Sequence, residues 1–297
     1  IDVSGIARPS SVTAADRTAL TVHNLPKGTK AITYGWHFST MVVLSEHPSS
    51  RTFILDQQRV ASDTTAIQVA VAQLRKVATQ LPARSIVVLD RGYDATWLWC
   101  QVCGLPIGVL GRLKQKRRFY RPAPPPSGHP GAPYKDGALL QVGNPSTYGT
   151  PDGQVSKKDG KGRLVELSWW SNVHVKEARW LALTVIRVVR PHASNTERDP
   201  RISWLVWLGD EQEEVAEVAL GYALRFGQEH GYRFEKQSLL WDEPRLRTPE
   251  QFERWSQLVA IAHNQLFLAR DLVEVEVRPW ESKRRPLTLQ QVRYGMN

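Results

Sequence analysis

Between residues 31 and 113 the chain alternates strand-like and helix-like segments in an order that few folds can accommodate. Residues 31–45 (AITYGWHFSTMVVLS) and 51–60 (RTFILDQQRV) read as successive strands joined by EHPSS, a hairpin. Residues 63–81 (DTTAIQVAVAQLRKVATQL) carry apolar positions at helical spacing behind a capping Asp63, and Pro82 stops them. The next strand covers 85–90, a helix 95–103 and another strand 106–113. A short strand at residues 1–4 makes the order βββαβαβ. Strands interleaved with helices bury their apolar faces only as a sheet covered by helices, so the fold class is α/β.

After Leu113 the character changes. The stretch RPAPPPSGHPGAP is Pro-rich and is a loop or linker, since proline supplies no backbone N–H and breaks helix or central strand. From about 139 to 208 come strand-like runs such as RLVELSWW, ALTVIRVV and ISWLVWL, and from about 212 the pattern is helical again, ending in the basic tail RPWESKRRPLTLQQ. The expected organisation is therefore 1–113, first part of a core; 114–210, linker and β-rich insertion; 211–275, helices completing the core; and 276–297, a basic tail.

Charge narrows the partner class. Lys and Arg outnumber Asp and Glu by 39 to 29, a net charge of +10 over 297 residues, which favours polyanions, nucleic acid first. The cations cluster in GRLKQKRRFYRP, where strand alternation puts Arg112, Lys114 and Lys116 on one side. Such a row tracks a phosphate backbone or blunts a solvated edge strand. No apolar run reaches the roughly 18 residues of a membrane span, and no signal peptide opens the chain.

The chemistry concentrates in YALRFGQEHGYRFEK. Tyr222, Arg225, Glu229 and Lys236 form Y-x2-R-x3-E-x6-K, and on a continuous helix these offsets hold all four side chains within about 60° of one another. One face then carries a carboxylate flanked by two cations and a phenol, a set suited to a metal ion and phosphates together.

This motif resembles the signature helix of the insertion-sequence DDE transposases, in the branch whose third acid sits in a Tyr-Arg-Glu-Lys motif on a ribonuclease-H-like fold. The segment KQSLLWDEPRLRTPEQFERWSQLVAIAHNQLFLAR is similar to the family's C-terminal catalytic helices, and βββαβαβ is the order of its core. The resemblance implies a ribonuclease-H-like mixed sheet flanked by helices, with a β-rich insertion before the last catalytic helix. It makes Glu229 the third metal-binding acid and gives Tyr222, Arg225 and Lys236 the terminal phosphates of a transposon end, with Arg233 a further DNA contact.

Two upstream aspartates are then required at strand ends. In SIVVLDRGYDA, residues 85–89 form a buried strand and Arg91-Gly92-Tyr93 the turn out of it, which leaves Asp90 at the carboxyl end, where open α/β sheets collect functional groups. Asp94 reads as the N-cap of the following helix. Asp2, in IDVSGIARPSS, resembles the family's first-strand acid, although the apolar run before it is reduced to Ile1. A start without Met so close to Asp2 suggests a fragment or a processed product.

What the resemblance implies is cleavage and strand transfer of double-stranded DNA at transposon ends and target, with two Mg²⁺ (or Mn²⁺) ions held by Asp2, Asp90 and Glu229. It further implies a homodimer in the DNA complex, no membrane partner, and a bacterial cytoplasmic, nucleoid-associated location. A catalytically silent DNA-binding remnant and a ribonuclease-H-like nuclease of other specificity remain open as alternatives. Trp169 and Trp170, in the insertion, stack on a flipped base or fill a core. Cys100 and Cys103 form a lone CxxC without the second ligand pair of a zinc site, and no nucleotide-hydrolysing P-loop motif occurs.

Overall fold

The computed structural model describes residues 1–21, 32–45, 51–82, 85–126, 132–196, 199–210, 213–274 and 286–296. The hairpin connector 46–50, the middle of the Pro-rich stretch and half of the basic tail lie outside the described residues. The chain forms two compact units, one of residues 1–73 with 223–297 and one of residues 74–222.

The first unit is built on a four-stranded antiparallel sheet. β1 (Asp2–Ala7), β2 (Thr18–Thr21), β3 (Ile32–Val43) and β4 (Phe53–Val60) follow one another in the chain. The long strand β3 is central: β1 runs along one edge, from Asp2 opposite Thr40 to Ala7 opposite Gly35, and β2 and β4 share the other. The expected short strand at 1–4 is thus a full six-residue strand, because IDVSGIA alternates inward Ser4 and Ile6 with less buried neighbours. Gly35 permits the close pairing, since a Cβ there would lie 2.0 Å from the Ile6 carbonyl oxygen. β2 was not legible as a strand.

Helix α1 (Ala66–Val77) follows β4. Its cap is not Asp63. Thr65 Oγ1 accepts the Gln68 N–H at 3.2 Å and the Gln68 side chain accepts the Thr65 N–H at 2.9 Å, the reciprocal pairing that a Thr-x-x-Gln sequence allows.

The second unit contains an eight-stranded mixed sheet. β5 (Ser85–Leu89) pairs in parallel with β6 (Ile107–Arg112), and α2 (Thr96–Val102) makes the crossover. β7 (Arg118–Tyr120), β8 (Leu139–Gln141), β9 (Gly153–Lys158), β10 (Leu164–Val175), β11 (Ala178–Val189) and β12 (Ile202–Leu208) complete it, in the order β5-β6-β12-β11-β10-β7-β8, with β9 on β10. Through the antiparallel pairing of β6 with β12 the expected insertion extends the sheet of β5 and β6. Two local expectations fail here. The basic strand ends at Arg112, and Lys116 turns the chain with φ 71°, so Arg112, Lys114 and Lys116 do not share a strand face. Asp94 caps nothing: α2 begins after Ala95 without a side-chain cap, and the Asp94 carboxylate instead accepts the Lys114 N–H at 2.7 Å.

Helix α3 (Val215–Gly221) packs on this sheet, where Ala216, Val218 and Ala219 meet Leu110, Leu167, Ile186 and Leu205. A 3-10 turn, Tyr222–Arg225, leads into α4 (Phe226–Gln237), so the signature segment is not one continuous helix. Gly221 closes α3, where a residue with no side chain adds nothing to hold the helix. In the first unit α5 (Pro249–Leu268) follows, capped by a Thr248–Gln251 box, and α6 (Leu289–Gly295) ends the described chain inside what the sequence suggests is a tail. An aromatic core of Trp36, Phe38, Tyr232, Trp241 and Phe252, with Ile6 and Val259, fixes α4 and α5 on β1 and β3. The architecture is mixed α/β with a large mixed sheet flanked by helices, consistent with a ribonuclease-H-like fold. No helix among the described residues is long and apolar enough to cross a membrane.

Candidate active site

In the first unit one guanidinium serves two carboxylates. Asp2 opens β1, with its Oδ1 accepting the Val3 N–H at 2.9 Å and its Oδ2 lying 3.4 Å from Arg225 Nη1. Arg225 Nη2 donates to Glu229 Oε1 at 3.2 Å, one turn along α4. Burial is graded across the trio: the Arg225 side chain is 8% exposed, Asp2 20% and Glu229 50%. The cation therefore lies beneath the two acids, which reach toward solvent. A buried guanidinium with no carboxylate partner is costly, and here the fixed fork of donors orients both partners.

The stripe that carries Arg225 and Glu229 continues along α4 and fastens it to the sheet. Tyr232 Oη donates to the Asp2 carbonyl at 2.7 Å. Gln228 Nε2 donates to the Thr40 carbonyl at 2.7 Å, on the residue opposite Asp2 in the register. Lys236 Nζ donates to the Gly5 carbonyl at 2.8 Å. Burial lowers the Lys236 pKa, against the opposing pull of Asp242 and Glu235. Gln228 and Tyr232 position Asp2, and nothing in the signature motif singles them out. Their signal was the same three-to-four residue spacing that selects Arg225 and Glu229.

At the far end of β1, Arg8 acts as a clamp. Its Nη1 donates to the Asp242 carbonyl at 2.8 Å and its Nη2 to the Pro244 carbonyl at 2.9 Å, while its guanidinium sits 4.5 Å from the Phe252 ring centroid. The strand that carries Asp2 is therefore tied to α4 along its length and, at its far end, to the loop between α4 and α5.

In the second unit Asp90 directly follows Leu89, the last residue of β5, and a 3-10 turn over Arg91–Tyr93 leads away from it. Tyr222 Oη donates to Asp90 Oδ1 at 3.4 Å, and the Tyr222 ring is buried among Leu110, Leu205 and Trp207. Asp94, four residues on, is buried with Arg117 at 3.2 Å. Desolvation raises its pKa, opposed by the Lys114 N–H and by Arg117. Its interactions are internal to the unit and structural in character.

The remaining candidates divide by exposure. Arg233, Lys114 and Lys116 are exposed, and Arg112 is half-buried at the end of β6. Trp170 is 2% exposed and stacks on Trp204 with ring centroids 5.6 Å apart. Trp169 lies over Gly153, where a Cβ would come within 2.0 Å of the indole, and packs against the core beneath α3. Among the described residues no group of three or more His, Cys, Asp or Glu side chains forms a ready metal cage.

The profile of the DDE superfamily endonucleases matches residues 1–174, more than half of the chain. The chain belongs to that family. Among curated proteins, none matches it. The match to the DDE endonucleases contains Asp2, at the start of β1, and Asp90, directly after β5, and stops before Glu229. As a DDE superfamily endonuclease the protein has a transposase or nuclease role.

Proposed function

We propose that this DDE endonuclease is a DNA transposase that cleaves and rejoins DNA at the ends of an insertion sequence, with Asp2, Asp90 and Glu229 as its working acids. The observation that carries this reading is the Asp2–Arg225–Glu229 arrangement. The first-strand acid within the family match and the glutamate of the Tyr-Arg-Glu-Lys segment beyond it bind one buried guanidinium. Glu229 is the local i,i+4 partner of Arg225, but Asp2 comes from 223 residues away, and a merely solvated helix face does not hold a distant strand's carboxylate on a buried cation.

The donor set fits a hard divalent ion: the three side chains offer carboxylate oxygens only, and the guanidinium offsets part of the repulsion between Asp2 and Glu229 before an ion binds. Asp2, Asp90 and Glu229 would hold Mg²⁺ or Mn²⁺, two ions in the full complement, which supply activation of water or a 3′-hydroxyl and charge neutralisation at the leaving oxygen. Arg225 and Tyr222 orient the acids, Gln228, Tyr232 and Lys236 fix the strand beneath Asp2, and exposed Arg233, Lys114 and Lys116 take phosphate. Double-stranded DNA is the substrate, and two copies act on its two ends.

The test is cleavage of labelled DNA carrying the sequences that flank the element, against scrambled DNA of equal length, with Mg²⁺ or Mn²⁺. End-dependent cleavage supports the transposase. Cleavage indifferent to sequence supports a nuclease of other specificity, and salt-dependent binding without cleavage supports a silent remnant.

A further inference from the structure

Cys100 and Cys103 stand three residues apart at the end of α2, and the chain has no other cysteine. The helix buries Leu98, Trp99 and Val102, while Cys103 is exposed and Cys100 half-buried. Cys103 is the C-cap and its backbone is still helical, with φ −61°, ψ −21° and its N–H on the Trp99 carbonyl at 3.0 Å. A helical side chain leans over the turn before it, and Cys103 Sγ accordingly donates to the Cys100 carbonyl at 3.3 Å. On a helix the two Cα atoms are about 5 Å apart, within the roughly 4.4–6.8 Å that a disulfide spans. Their Cβ atoms, about 5–6 Å apart on a regular helix, must close to roughly 3.5–4.5 Å. The end of the helix allows this movement: α2 stops before Cys103, and a Cβ built on Gly104 would meet nothing within 4 Å. Cys103 also lies on the wall of an open cleft of about 400 Å³, shared with Leu105, Pro106 and Trp207, so a small disulfide reaches it.

We propose that Cys100 and Cys103 form a reversible thiol-modification site, oxidised to an intramolecular disulfide by low-molecular-weight disulfides such as glutathione disulfide. The Cys103 thiolate attacks one sulfur of the reagent, forming a mixed disulfide and releasing one thiolate. The Cys100 thiolate then attacks Cys103 Sγ and releases the second. The two protein protons pass to the released thiolates, so one reagent molecule gains two electrons and leaves as two thiols. The order of attack follows from exposure, since Cys103 is the accessible thiol. Burial raises the Cys100 pKa, and the neighbouring Cys103 raises it further, so Cys100 is the slower nucleophile and serves as the resolving thiol. This inference rests on α2 and the residues after it, and is independent of the nuclease reading.

Glutathione disulfide added to the reduced, folded full chain at mildly alkaline pH tests it, with alkylation of the remaining thiols and mass spectrometry of the intact chain. The expected result is loss of both thiols and of two hydrogens in mass, with no glutathione retained and no link between chains. Dithiothreitol then restores both thiols, and the oxidation quickens as pH rises. Cys100→Ser stops at one glutathione adduct on Cys103, the trapped first step. Cys103→Ser, left with the half-buried thiol, forms its adduct about tenfold more slowly. A wild type that keeps both thiols, holds glutathione as a stable adduct or crosslinks between chains overturns the proposal. A Cys103→Ser chain that reacts as fast as Cys100→Ser overturns the order of attack.

Discussion

Arg225 reaches across 223 residues of sequence to place its Nη1 3.4 Å from the carboxylate of Asp2, while its other terminal nitrogen holds Glu229. Removing the buried cation takes from Asp2 and Glu229 the guanidinium that they share. Arg225→Met is expected to lower stability by about 3 kcal/mol, mostly through Asp2, since the half-exposed Glu229 partner is worth little. Urea unfolding of the variant reads this directly, and a change below about 0.5 kcal/mol, the range of neutral surface substitutions, contradicts the assignment.

Lys236 separates scaffold from DNA contact. Its ammonium is occupied by the Gly5 carbonyl, so Lys236→Met leaves the salt dependence of DNA binding unchanged, whereas Arg233→Gln reduces the slope by about 1. The pH profile gives an independent readout. The folded pKa is lowered by burial from the ordinary 10.5, so between the lowered value and 10.5 the unfolded chain binds the extra proton. Stability contributed by this group therefore rises with pH through that window and is flat below it. Subtracting the stability profile of Lys236→Met from that of wild type should leave a difference that climbs in the alkaline range; a flat difference refutes the burial argument.

Asp90 and Asp94 lie one turn apart and should respond oppositely. Asp94 is buried against Arg117 and the Lys114 N–H, so Asp94→Ala costs about 3 kcal/mol, the scale of a broken buried pair. Asp90→Asn keeps an acceptor for Tyr222 Oη, melts within a degree or two of wild type and abolishes metal-dependent cleavage. Thermal melts and cleavage assays of the two variants, run side by side, would have to give the reverse pattern to exchange the roles.

The tryptophans of the large sheet are distinguished in the same way. Trp170, buried and stacked on Trp204, should cost about 3–5 kcal/mol on replacement by Ala. Trp180, 68% exposed, should cost less than 0.5 kcal/mol. A Trp170→Ala variant that melts like wild type yet loses DNA affinity argues against the core assignment.

Much of this fold is legible in the sequence because its signals are local. Ser85–Leu89 and the turn at Arg91–Tyr93 follow from a short β-branched run ended by Asp90 and Gly92. The signature segment identifies Arg225 and Glu229 by spacing alone. What the sequence hides is the break at Gly221 and Tyr222, which sends Tyr222 to Asp90 while Arg225 goes to Asp2. Helical spacing cannot reveal a 3-10 turn whose cause is tertiary. Asp63 and Asp94 look like caps because Asp favours caps, but a reciprocal Thr65–Gln68 pair displaces the first and burial against Arg117 claims the second. β1 looked too short because its register against β3, from Asp2 to Ala7, is long-range information.

The central claim is that Asp2, Asp90 and Glu229 act as one set, and the direct measurement is Mg²⁺-dependent cleavage of end-bearing DNA by wild type, Asp2→Asn, Asp90→Asn and Glu229→Gln under matched conditions. The account predicts that wild type cleaves and that each variant loses at least about a thousandfold, roughly 4 kcal/mol in the barrier, while folding and binding DNA as before. A variant at any one of the three positions that cleaves at the wild-type rate removes that residue from the set and contradicts the account.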